Sequence, residues 1–122
     1  MQIIIQARNF PLTKTLRKHV QRRLGFALSS RDDHIKRIQV RLSDINGPRG
    51  GADKRCHIQL EVSQLADVVI EDTELDIYTA IDRASDRASR TLDRRLSRQR
   101  DFRRSSRSSI ALSNSLHQES LS

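Results

Sequence analysis

The chain contains no tryptophan, one tyrosine and three phenylalanines, so aromatic packing cannot dominate its interior. Isoleucine, leucine, valine and alanine must fill the core instead. A single cysteine, Cys56, excludes an intramolecular disulfide and suits a reducing compartment. No apolar run approaches the roughly 18 residues that a membrane-spanning helix needs. The opening, Met1-Gln2-Ile3-Ile4-Ile5-Gln6, lacks both the basic start and the longer apolar stretch of a signal peptide. These absences point to a cytoplasmic protein with no membrane partner.

Positive charge is what the chain has in excess. Across 122 residues the formal net charge is +8 and the sequence pI is about 10.9. A balance of this kind marks a candidate partner for a polyanion. A well-solvated basic surface is the competing reading, and the placement of the charges has to separate the two.

Hydrophobic periodicity defines the elements. Gln2 to Arg8 alternates, with Ile3, Ile5 and Ala7 on one face and only Ile4 out of pattern. Asn9-Phe10-Pro11 breaks that strand, and Pro11 or Thr13 opens a helix carrying Leu12, Leu16, Val20, Leu24 and Ala27, ending between Gly25 and Ser30. Ser29 to Asp33 is a polar connection. Ile35 to Ser43 alternates again, with Ile38, Val40 and Leu42 inward. Asp44 to Lys54 gathers Asn46, Gly47, Pro48, Gly50 and Gly51 into a turn or exposed hairpin loop.

Arg55 to Ser63 directs Cys56, Ile58, Leu60 and Val62 inward, and Asp67 to Glu71 forms a fourth strand. A long helix runs from Asp76, its N-cap, to about Arg100. Past Phe102 the composition turns Ser-rich and loses its period, so residues 102–122 are expected to form a disordered tail on a domain of residues 1–101. The order is β-α-β-β-β-α. It predicts an α+β two-layer sandwich: a four-stranded mixed sheet, with both helices covering one face.

The long helix shows where the charge goes. At about 100° per residue, Ile77, Ile81, Ala84, Ala88, Leu92 and Leu96 form one stripe for the sheet. Arg83, Arg87, Arg90, Arg94 and Arg98 fall within an arc of about 80° elsewhere, and Asp82, Asp86 and Asp93 gather on a third face. A helix stabilised by its own ion pairs interleaves the two signs three or four residues apart. Here the arginines repel one another along one ridge, which a polyanion would relieve. In the first helix Lys14, Lys18 and Arg22 repeat at i, i+4 spacing with Arg23 beside them. If the helices share a face of the sheet, the two ridges are expected to merge into one basic surface. Arginine's planar fork suits phosphate, and folded RNA is read largely through backbone and shape. Gln39, His57 and Gln59 stand where a single-strand-reading sheet would carry aromatic platforms, so sequence-specific readout is not expected.

Signs of catalysis or metal binding are weak. Cys56 and His57 are adjacent in a strand and point to opposite faces, which argues against a metal site. Cys56 reads as a small core residue rather than a nucleophile. Gly47-Pro48-Arg49-Gly50-Gly51 lacks the Gly-Lys-Ser/Thr ending of a P-loop; a tight turn and a small anion nest supported by Lys54 and Arg55 both remain open. Asp82 and Asp86 lie a turn apart on an exposed face with no accompanying base. No catalytic constellation, cofactor or small-molecule substrate is expected.

Asp76-Ile77-Tyr78-Thr79-Ala80-Ile81-Asp82 resembles the Asp-x-Tyr-x-Ala-Ile-Asp opening of the last helix in the ribosome hibernation promoting factor and ribosome-associated inhibitor family, also described as sigma-54 modulation proteins. Arg87, Arg90, Leu92 and Arg94 continue that pattern, and Leu16-Arg17, Val20 and Arg23-Leu24 resemble the family's first helix. The likeness covers roughly residues 2 to 100, in the manner of the family's short form. It implies a non-enzymatic factor on the small (30S) ribosomal subunit, set against 16S ribosomal RNA in the decoding channel, that silences translation under stress by steric occlusion. A generic module for structured or double-stranded RNA, and a protein-interaction module of the transcription machinery, are the alternatives.

Overall fold

The computed structural model describes residues 2–9, 11–45 and 53–113, with backbone alone from 103 to 113. Four strands, β1 (Gln2–Arg8), β2 (Ile35–Asp44), β3 (Lys54–Val62) and β4 (Val68–Glu74), lie side by side in chain order. β1 and β2 are parallel, and the other two pairs are antiparallel. Alternation becomes layered packing through the register. Ile3, Ile38, Leu60 and Val68 form one inward row, Ile5, Val40, Ile58 and Ile70 the next, and Ala7, Leu42, Cys56 and Asp72 a third. Ile4, the residue out of pattern, sits on the opposite face in a row with Gln39, Gln59 and Val69.

Ile35 and Ile38 are both buried although they are three residues apart, a spacing that a regular strand would send to opposite faces. A register shift between Ile35 and Arg37 supplies the extra residue that turns both inward.

A parallel β1–β2 pair needs a crossover, and α1 (Lys14–Leu28) provides it. Thr13 caps this helix by accepting a hydrogen bond from the Leu16 amide at 3.1 Å. Leu16, Val20, Leu24 and Leu28 recur every four residues and are all buried. The polar connection that follows is a 3-10 turn, Ser29–His34. Asp76 caps α2 (Ile77–Ser113) by accepting from the Thr79 amide at 3.1 Å. Ala80, Ile81, Ala84 and Ala88 of α2 are buried with α1 over the inward rows, so both helices cover one face of a mixed sheet.

The helix does not stop near Arg100 as its periodicity suggested. It continues to Ser113, because each residue added to a formed helix gains a backbone hydrogen bond without a new nucleation cost. Residues 114–122 of the Ser-rich segment and the Gly-rich loop 46–52 lie outside the described residues. The chain divides into two compact units, 1–91 and 92–122. The first holds the sheet, α1 and the opening turns of α2. The second begins with Leu92 and Leu96, both buried. No described helix is long and apolar enough to cross a membrane.

Candidate nucleic-acid interface

Within the first unit the two helices run in the same direction, since their contacts rise together in number: His19 with Asp82, Arg23 with Asp86, Ala27 with Ser89. The carboxylates that seemed to lie on an exposed face are the link. Asp82 Oδ1 lies 2.8 Å from His19 Nε2 and accepts from Arg23 Nε at 3.1 Å. Arg23 Nη2 reaches Asp86 Oδ1 at 3.1 Å. The His19 ring meets Tyr78 edge-on, with centroids 4.8 Å apart, and the Ser89 hydroxyl donates to the Ala27 carbonyl at 3.1 Å. A line of paired charge therefore occupies the seam between the helices. Of the basic residues expected on a shared surface, Arg23 is held in that seam by Asp82 and Asp86.

The nine candidate cations accordingly separate. Lys14, Lys18 and Arg22 are exposed on α1 and make no ion pair with the described residues. Arg90 of α2 is exposed in the same way. Arg23 is tied into the seam. Arg83 and Arg87 lean toward the edge strand: Arg87 Nη1 donates to the Glu71 carbonyl at 2.7 Å and lies 3.5 Å from Asp72, and Arg83 Nε lies 3.7 Å from Glu74. Asp72 and Glu74 stand close enough to hydrogen-bond, which raises the Glu74 carboxyl above the usual range, with desolvation adding to the effect. These arginines thus sit over a crowded acidic pair, yet their side chains remain 64% and 49% exposed. Asp72 and Glu74 are themselves only 12% and 25% exposed, so the arginines can offer a phosphate their outward donors without leaving these partners. In the second unit, Arg94 and Arg98 are exposed.

His19 was not singled out by the sequence reading. A signal for it existed: His19 and Arg23 are four residues apart, as are Asp82 and Asp86, so two helices laid side by side place acid against base twice.

The side groups of the sheet complete the picture. On its open face Arg37 Nε donates to Glu61 at 2.7 Å, and this hydrogen bond holds the Glu61 carboxyl below the usual glutamate range. Lys54 pairs with Asp44 and Asp53 at 3.1 and 3.0 Å; the loop expected to form a turn or anion nest lies outside the described residues. Cys56 is buried in the inward row while His57 lies on the open face. Burial, with the nearby Asp72 charge, pushes the Cys56 thiol up to about 12, and a thiol so protonated is not a nucleophile. No group of three or more metal-ligating side chains occurs among the described residues.

Residues 3–100 match the family model described as sigma 54 modulation protein / S30EA ribosomal protein. The N-terminal domain of protein Y from Thermus thermophilus is 28% identical with a TM-score of 0.63, over 77% of this chain and 98% of that one. A ribosomal subunit interface protein from Coxiella burnetii, at 14% identity, shares the fold with a TM-score of 0.68 over 80% of this chain and 99% of that one. Ribosome-binding factor PSRP1, chloroplastic, from Spinacia oleracea is 25% identical over 87 residues, or 70% of this chain. The chain spans 29% of that relative's length.

Proposed function

The chain belongs to the sigma 54 modulation protein / S30EA ribosomal protein family, and from that premise we propose that it binds the ribosome as a hibernation factor and restrains translation. The family match over residues 3–100 carries this reading. A relative named as a ribosome-binding factor supports it. In this reading the partner is the small (30S) subunit, the contact is 16S ribosomal RNA lining the decoding channel, and the mechanism is occlusion rather than catalysis. The protein acts in the cytoplasm.

Lys14, Lys18, Arg22 and Arg90 supply the primary phosphate contacts, because no carboxylate has to be displaced first. Arg83 and Arg87 join through the exposed parts of their guanidinium groups while Glu74 and Asp72 stay largely covered. Arg94 and Arg98 of the second unit are further phosphate contacts in their own right. Arg23 holds the helix pair in register and so sets the spacing of the ridges. Each phosphate neutralised releases condensed counterions, which makes the affinity fall steeply with salt.

Co-sedimentation with purified ribosomal subunits tests the proposal. The protein is expected to travel with the small subunit at moderate salt and to leave it as salt rises. A protein that stays at the top of the gradient overturns the reading. Equal affinity for an arbitrary RNA duplex turns it into a generic structured-RNA module.

A further inference from the structure

The open face of the sheet has two halves that treat charge differently. Near the start of β2 the charges are matched internally. Arg37 donates to Glu61 at 2.7 Å, Gln39 donates to the same carboxylate at 3.1 Å, and Gln59 donates to Asp67 at 2.7 Å. Near the end of β2 they are not. The register sets Arg8, Ser43 and Arg55 side by side on three adjacent strands, with Arg41 in the next row between Gln6 and His57.

Strands lie about 4.8 Å apart, and two residues along a strand span about 6.6 Å. Arg8 and Arg55 therefore flank Ser43, and Arg41 stands one row away in the same strand as Ser43. All three guanidinium groups can reach one point above the Ser43 hydroxyl. They line an open cleft of about 670 Å³ together with Gln6, Ser43 and His57.

Internal neutralisation is poor. Among the described residues, three guanidinium groups face one lining carboxylate, Glu71, which lies 4.0 Å from Arg55 Nη1. Arg55 Nε is buried with no hydrogen-bond partner, so the protein itself leaves part of this guanidinium's hydrogen-bonding capacity unused. Arg8 and Arg41 are exposed and make no ion pair with the described residues. Planar forks converging with a hydroxyl and an imidazole suit the several acceptor oxygens of a phosphate. Among the described residues the lining includes no Phe, Tyr or Trp, so hydrogen-bond donors rather than broad aromatic faces dominate the cleft.

We propose that the cleft formed by Arg8, Arg41 and Arg55 is a second phosphate-binding site, on the face of the sheet opposite the helices. It takes either a phosphodiester of RNA or the phosphate of a small phosphorylated compound. With RNA as the ligand, the sheet is gripped from both sides and the protein bridges two RNA segments.

Amide chemical-shift titration of the full chain tests this in two arms, one with inorganic phosphate and one with an eight-nucleotide uridine RNA. Shifts are expected to centre on residues 6–8, 41–43 and 55–57. Arg8→Gln with Arg41→Gln, both surface changes, is expected to weaken the fitted affinity at least tenfold, on the order of one lost charge-assisted contact or more; Arg41→Gln alone serves if the double variant loses its native spectrum. Changing Lys14, Lys18 and Arg22 to alanine is expected to leave these shifts in place, which separates this site from the helix ridges. Saturation by inorganic phosphate assigns a small phosphorylated ligand, and response to RNA alone assigns the polymer. Silence at these residues in both arms, or an unchanged response in the arginine variants, overturns the proposal.

Discussion

Arg22 and Arg23 are neighbours in the chain and end in opposite circumstances. Arg22 points to solvent from the outer ridge of α1, whereas Arg23 lies in the seam between Asp82 and Asp86. The same division runs through the molecule: charges in the seam are matched across helices, and those on the outward ridge of α1 are left for something else. Counting positive residues cannot reveal this. One helical step of about 100° separates a residue that holds the helix pair together from one that is available to a polyanion.

The sharpest test of the enclosed side is Cys56, beneath the helices. With its thiol pushed from 9.0 to about 12, the thiolate fraction at pH 8 is about a thousandfold lower than in the unfolded chain. Modification by a thiol reagent is expected to be slower by at least that factor in the native protein and to become fast in denaturant. The sign for stability follows. The folded value is raised, so this contribution is fully present below about pH 9 and is lost as pH climbs toward about 12. Fast labelling of the native protein at pH 8 would break the contrast between enclosed and outward positions.

The outward side comes next in size. Replacing Lys14, Lys18 and Arg22 by alanine is expected to weaken ribosome binding on the order of a hundredfold and to lower the log–log salt slope by about 3. Thermal stability should move by no more than about 0.5 kcal/mol. Sedimentation at several salt concentrations, paired with a melting curve, checks both.

Arg23→Ala should show the reverse profile. Loss of its contacts to Asp82 and Asp86, in a network where the arginine is only 27% exposed, is expected to cost about 1 kcal/mol in denaturant unfolding. Binding should weaken less than threefold. If Arg22→Ala and Arg23→Ala prove interchangeable in both assays, the division between seam and ridge is wrong.

The smallest effect belongs to the matched half of the open face. Glu61 is held below the ordinary glutamate range by Arg37, so it adds stability above that range and loses it as pH falls through the folded value. Glu61→Gln is therefore expected to be less stable than the parent at neutral pH. The gap should narrow in acid, as chemical denaturation at pH 7 and pH 3 would show.

Much of the fold was legible because it rests on local periodicity. The alternation in Gln2–Arg8 and Arg55–Ser63, the four-residue spacing of Leu16, Val20 and Leu24, and the cap at Asp76 each depend on residues within one element. The bulge that turns Ile35 inward was not legible, since it exists only against β3. Nor was the continuation of α2 to Ser113, because serine is a weak helix former whose placement depends on the helix already formed before it.

Spacing alone determined the strands, the two helices and the row of basic residues along each helix, all of which follow from repeats of 2 and 3.6 residues. Tertiary structure decided which of those charges are satisfied. Asp82 is 59 residues from Arg23 in sequence and 3.1 Å away in space, and Arg8 meets Arg55 only through the β2 strand between them. Electrostatic pairing acts over a few ångströms of space rather than along the chain, so the assignment of each cation to seam, edge or open surface had to await the packing of one element against another.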